Sequence, residues 1–244
     1  DHYSQARQFY VSQTPIEQKH IQNALIFELS KVERVDIRAR VVSHLWNIDG
    51  PLADAVAKGL RLKEVPNPAP AAKPTRQDLK PSDKLSVIKN GPKSFAGRKV
   101  GALVTDGVDA EVLAALGKAL KAEGAVLKLV APEVGGVKDS AGAWHDADEK
   151  LEGGPSVLFD AVAVLPSKEG AAVLAQLPAA RDFVADAAAH RKFVGYAAAA
   201  QPLFEKAGAA LDEGFLPLNK VGEVDAFVAA CRKLRFWDRA AAER

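Results

Sequence analysis

Apolar residues recur at two different periods along this chain, and the change of period divides it into three stretches. Up to about residue 62 they fall three and four apart, the spacing of helices with one buried stripe. Ile21, Leu25 and Leu29, with Ala24 and Ile26 beside them, mark one helix. Thr14-Pro15-Ile16-Glu17 supplies its start: a hydroxyl N-cap, a proline where no N–H is needed, and a carboxylate placed to return the bond. Ile37, Val41, Val42 and Leu45 predict a second helix over 35–46, broken at Asp49-Gly50-Pro51, and 52–60 predicts a short third. The residues before Thr14 read as amphipathic helix rather than a leader. These helices are one-sided, so they are expected to bury a face against each other and against chain outside this sequence.

Residues 63–98 lose both periods. Pro66, Pro68, Pro70, Pro74, Pro81 and Pro92 forbid a regular helix and predict an extended linker. It carries Lys73, Arg76, Lys80, Lys84, Lys89, Lys93 and Arg98 against Glu64, Asp78 and Asp83. An anion-binding strap and a solvated crossing over a protein surface both fit that pattern.

From residue 99 to 244, short apolar runs alternate with helical stretches, as in a parallel sheet covered on both faces. Strands are predicted at 100–104, 126–130, 161–165 and 193–197. Helices are predicted at 110–122, at 178–190, from Gln201-Pro202, and through Val224, Phe227, Val228, Cys231 and Leu234. The segment 133–155 is rich in Gly and Asp and predicts a hairpin around Asp139-Ser140-Ala141-Gly142. The fold class is therefore α/β, a flavodoxin-like doubly wound parallel sheet preceded by a helical segment and an extended linker. The expected domains are 1–62, 63–98 and 99–244.

Composition narrows the setting. The chain has 244 residues, 48% hydrophobic and 26% charged, with a net charge of +2, which makes no case for a nucleic-acid partner. No apolar run approaches the length of a membrane span, so no membrane partner is expected. The single cysteine, Cys231, excludes an internal disulfide and predicts a reducing, cytoplasmic setting. Methionine is absent and the chain opens at Asp1-His2-Tyr3, which predicts a piece of a longer protein. Low sulfur suits a peroxide-exposed protein, because Met and Cys both oxidise; a bias towards Ala, Val and Leu explains it as well.

In an open α/β sheet, ligands bind beyond the carboxyl ends of the strands. The loops to inspect are 105–109, 166–170 and 197–202, with Thr105, Asp106, Gly107 and Ser167 as the candidate residues. No Gly-x-Gly-x-x-Gly or phosphate-loop pattern occurs in them. The five histidines, His2, His20, His44, His145 and His190, have no metal-ligand spacing. Asp106, Asp109, Asp212 and Glu213 read as caps and turns. Gly195-Tyr-Ala-Ala-Ala-Ala-Gln-Pro202 resembles the nucleophile elbow of the class I glutamine amidotransferase-like superfamily, over roughly 99–235. That resemblance puts the nucleophilic Cys at or near Ala198, which carries no nucleophilic atom. Cys231 lies in an apolar helical stripe and is expected in the core. No catalytic, cofactor-binding or metal residue is therefore expected.

A second resemblance covers the whole chain. Asp1-His-Tyr-Ser-Gln-Ala-Arg-Gln-Phe-Tyr10, Ser12-Gln-Thr14, Glu17-Gln-Lys-His-Ile21 and Asn23-Ala-Leu-Ile-Phe-Glu-Leu-Ser-Lys-Val-Glu33 are similar to the last helices of large-subunit haem catalases. In that family an extended linker and a flavodoxin-like domain follow in the same order. The resemblance implies a parent that decomposes hydrogen peroxide with haem, and as partners the remainder of the catalase subunit and its homotetramer. The family's proximal Tyr sits in an Arg-x-x-x-Tyr phrase; Tyr3, Tyr10 and Tyr196 all lack that Arg. The implied role of this piece is structural, with haem held elsewhere in the parent. The alternative is an autonomous α/β domain with holdase-like or small-ligand-binding activity.

Overall fold

The structure, a computed structural model, describes residues 1–242. It divides into two compact units, Asp1–Gly91 and Pro92–Arg244.

The first unit contains helices α1 (Ser4–Ser12), α2 (Pro15–Ser30), α3 (Val35–Ile48) and α4 (Gly50–Gly59). Thr14 caps α2 in a full capping box with Glu17, as its spacing predicts. Asp49 separates α3 from α4 and caps the latter, its carboxylate accepting from the Leu52 N–H at 3.0 Å. The core is built from Tyr10, Leu29, Val42, Leu45, Leu52, Val56 and Leu60. Phe9, Phe27 and Val35 stay exposed, at 47, 62 and 59%.

Much of the Pro-rich stretch belongs to this unit. It lies along the helices through hydrogen bonds from their few buried polar side chains. Ser4 Oγ accepts from the Arg76 N–H (2.8 Å), Ser12 Oγ accepts from the Ser82 N–H (2.9 Å), and Gln13 Nε2 donates to the Leu85 carbonyl (3.0 Å). The Glu17 carboxylate receives the Thr14 N–H at 2.8 Å, the Ser86 hydroxyl at 2.8 Å and the Ile88 N–H at 3.1 Å. A chain with many prolines cannot satisfy its own backbone, so these side chains supply the missing partners.

The second unit holds a six-stranded parallel sheet in the order β5-β2-β1-β6-β7-β8. Its strands are β1 (Lys99–Val104), β2 (Val126–Ala131), β5 (Glu149–Lys150), β6 (Ala161–Leu165), β7 (Val194–Tyr196) and β8 (Phe215–Pro217). The five longer strands run 2-1-3-4-5 in chain rank, the flavodoxin-like order. Residues alternate across the sheet as the pleat requires. Val100, Ala102, Val104, Ala161, Ala163 and Leu165 face α5 (Ala110–Ala122) and α9 (Val224–Cys231). Leu103, Val162, Val164 and Val194 face α6 (Lys168–Leu174), α7 (Pro178–Ala189) and α8 (Gln201–Ala207).

The expected hairpin forms between β3 (Val137–Lys138) and β4 (Trp144–His145). Three elements carry too little pattern to be read in advance: β5 has two charged residues, β8 ends in proline, and α6 spans only 7 residues. The last predicted helix stops at Cys231, because Leu234 turns back in the left-handed region at φ 64° and packs against the core.

Candidate functional site

The helix after β1 covers one face of the sheet and the helix after β6 covers the other, so the winding reverses between these adjacent strands. At such a switch point the two connections diverge and leave a crevice at the carboxyl ends. Thr105 directly follows β1, and Ser167 follows β6 by two residues. The Ser167 N–H donates to Thr105 Oγ1 at 3.0 Å, and Ser167 Oγ accepts from the Gly170 N–H at 3.0 Å, capping α6. Gly170 is required here, since a Cβ would lie 1.9 Å from Thr105 Oγ1. The next loop is tied to the hairpin: Asp106 Oδ1 accepts from the Lys138 N–H at 2.8 Å, and the Gly107 N–H donates to the Lys138 carbonyl at 2.7 Å.

These contacts frame a cavity of about 330 Å³. Of the sequence candidates, Thr105, Asp106 and Ser167 line it, while Gly107 does not. Pro132, Glu133 and Gly136 from the loop after β2, Val137 from β3, and Glu169, Gly170 and Val173 from α6 complete the wall. The signal that could have found the β2 loop is Pro132 itself, which stops the second predicted strand. Asp106, Glu133 and Glu169 place three carboxylates around the cavity and no Lys, Arg or His lines it. Its walls therefore repel anions and suit a neutral or cationic group set on an apolar body. A larger hollow of about 470 Å³ lies between α6 and α8, away from the strand ends, and brings no set of reactive groups together.

The loop after β7 has neither the atom nor the shape of a nucleophile elbow. Ala198 is exposed and its N–H donates to Asn219 Oδ1 at 2.7 Å. An elbow holds its nucleophile on a strained turn. The non-glycine residues at positive φ among those described are Arg61, Arg191 and Leu234, none of them in this loop. Cys231 is fully buried, and burial pushes its thiol far above the ordinary range.

Several of the remaining polar candidates have structural partners. Asp109 caps α5 through the Val112 N–H at 2.9 Å. Asp212 accepts from Arg239 Nη2 and from the Gly214 N–H, both at 2.8 Å. His145 Nε2 lies 2.7 Å from Asp139 Oδ2. The His145 ring holds the Asp139 carboxyl below the usual carboxylate range, with partial burial opposing it. His44 Nδ1 meets the Tyr3 hydroxyl at 2.8 Å. Among the described residues no group of three or more His, Cys, Asp or Glu is arranged to hold a metal ion.

The geometry defines a doubly wound α/β domain with a cavity at its switch point and no metal-holding cluster among the described residues. Residues 96–241 match the family described as the C-terminal domain found in long catalases, and residues 1–60 match the family described as catalase-related immune-responsive. The chain belongs to the long-catalase C-terminal family. It is 54% identical to Catalase C of Rhizobium meliloti over 98% of this chain and 34% of that protein. It is 39% identical to Catalase HPII of Pseudomonas putida over 99% of this chain and 34% of that protein, and 30% identical to Catalase-2 of Bacillus subtilis over 98% and 34%. The chain thus spans about a third of the length of the curated relatives it matches.

Proposed function

We propose that this chain is the C-terminal portion of a haem catalase subunit that converts hydrogen peroxide to water and oxygen, and that this portion is structural rather than catalytic. The observation that carries the reading is the family match across both stretches, joined to a cavity whose hydroxyls, Thr105 and Ser167, bond each other's segments and the start of α6. The tyrosines do not suit haem ligation. Tyr10 is buried with its hydroxyl accepting from Gln22 at 2.9 Å, Tyr3 is bonded to His44, and Tyr196 stacks edge-on against Phe204 at 5.5 Å. On this reading haem belongs to the rest of the subunit.

The work of the piece is to cover and brace its parent tetramer in the cytoplasm. Phe9, Phe27 and Val35 are apolar area that the remaining catalase chain would bury. Among the described residues no helix is long and apolar enough to cross a membrane. The test uses two proteins. The chain alone is expected to show no Soret band and no oxygen release from peroxide. The full-length subunit lacking residues 92–244 is expected to keep its haem spectrum while losing thermal resistance and tetramer. Activity of the isolated chain, or an unchanged tetramer after truncation, overturns the reading.

The switch-point cavity favours a second role, a small-ligand site of its own. Its carboxylates select a small amine over an acid of equal size. Calorimetry with paired amines and carboxylates checks this, and equal affinity for both removes it. The exposed Trp144, Val157 and Leu158 would serve a holdase-like surface. Failure to slow aggregation of a denatured client at equimolar ratio removes that version.

A further inference from the structure

Asn90-Gly91 is the one Asn-Gly pair in the sequence, and it occupies the last two positions of the first compact unit. Asn-Gly is chemically special because glycine has no Cβ to hinder its own nitrogen from reaching the preceding side chain. The fold leaves that approach open. Asn90 is exposed, and its Nδ2 reaches the Lys84 carbonyl only at 3.4 Å, longer than an ordinary hydrogen bond. The Gly91 N–H has no hydrogen-bond partner among the described residues. The position is also kept for glycine by packing, since a Cβ there would sit 2.7 Å from the Val87 carbonyl oxygen.

We propose that Asn90 is a site of spontaneous deamidation, and that the first unit carries this self-modifying pair at its end. The Gly91 amide nitrogen bonds to Asn90 Cγ, ammonia leaves from that carbon, and the Gly91 amide proton passes to the departing amine through solvent. The succinimide so formed takes up one water at either carbonyl. One route restores the ordinary linkage with an aspartate side chain; the other gives isoaspartate, with the backbone running through Cβ. No oxidant or reductant is involved. The product adds a carboxylate to a segment that also carries Lys84 and Lys89, of which Lys89 pairs with Asp83 at 2.7 Å. The isoaspartyl form also adds one carbon to the main chain at the end of the first unit.

The other candidates are held back by their surroundings. Asn23 lies inside α2, where the following N–H is part of the helix ladder. Asn47 Nδ2 is fixed on the Ala69 carbonyl at 2.8 Å. Asn67 precedes Pro68, which has no N–H. Asn219 Oδ1 is held by the Ala198 N–H at 2.7 Å. At the Asp106-Gly107 pair, the glycine N–H is committed to the Lys138 carbonyl at 2.7 Å.

The full chain is aged in mildly alkaline buffer made with heavy-oxygen water, then mapped by peptide mass spectrometry. The peptide containing Asn90 is expected to gain labelled oxygen and lose ammonia, resolving into aspartyl and isoaspartyl forms ahead of every other asparagine peptide. Gly91→Ala is expected to slow this by about tenfold or more, because the added Cβ hinders the attack. Asn90→Gln, which leaves the backbone untouched, is expected to abolish it. The proposal fails if the Asn90 peptide converts no faster than those of Asn23 and Asn219, or if Asn90→Gln leaves the new products in place.

Discussion

Lys192 shows how strongly one residue can depend on its surroundings. It is 2% exposed, and its ammonium donates to the Phe159 carbonyl at 2.7 Å and to the Ser156 carbonyl. Burial, with the nearby charge of Arg235, lowers its pKa to about 8, while Asp160 and Asp186 oppose the shift. The unfolded value is about 10.4, so the charged form is disfavoured in the fold. Below about pH 8 that cost is present in full, and it is released as the pH rises towards the unfolded value. Stability from this group therefore rises with pH across that window. Urea midpoints measured through the range check it, and Lys192→Met should flatten the slope.

Glu17 works in the opposite direction. Burial acts to raise its pKa and is outweighed by bonds from the Thr14 and Ile88 N–H groups and the Ser86 and Thr14 hydroxyls, so the net shift is downward. Its contribution is complete above the unfolded carboxylate range and fades as the pH falls through it. Glu17→Ala removes both the capping box and the strap's anchor. A loss of about 1–3 kcal/mol is expected in urea denaturation of the first unit. The capping half of this role was legible from Thr14-Pro15-Ile16-Glu17. The strap half was not, because Ser86 and Ile88 lie far along the chain and only folding brings them to the carboxylate.

At the scale of elements, pattern and length decide what can be read. Helices α2, α3 and α5 and strands β1, β2 and β6 announce themselves through sustained periods and clear stops. Strand β8 and helix α6 do not, since each is short and takes its form from its neighbours. Yet α6 supplies Glu169 and Val173 to the cavity, so part of the candidate site was hidden with it. Its junction with β1 makes a sharp test. Gly170→Ala forces a methyl against Thr105 and is expected to cost about 1–3 kcal/mol by overpacking, read as a lower thermal midpoint. The strap gives a second test at this scale. Ser12→Ala leaves the Ser82 N–H without its acceptor, so faster proteolysis within residues 63–91 is expected from limited digestion.

Across the whole molecule, the second unit has apolar cores on both faces of its sheet. A fragment of residues 92–244 is therefore expected to fold alone and unfold cooperatively, checked by circular dichroism and calorimetry. The first unit has one small core and leaves Phe27 more than half exposed. Residues 1–91 alone are expected to melt at a lower temperature and to bind a hydrophobic dye.

The sequence by itself determined the order of helices, strap and α/β domain, the flavodoxin-like winding, the capping of α2 and the lack of a nucleophilic atom on Ala198. Those properties live in local periodicity, in turn chemistry and in the identity of single atoms. Tertiary structure alone decided which polar groups meet. It set Ser4, Ser12, Gln13 and Glu17 against the strap, closed Thr105 and Ser167 on each other, and drew Asp106, Glu133 and Glu169 around one cavity. The reason is distance along the chain: a buried donor or carboxylate is satisfied by whichever partner packing delivers, and no local pattern records which one that is.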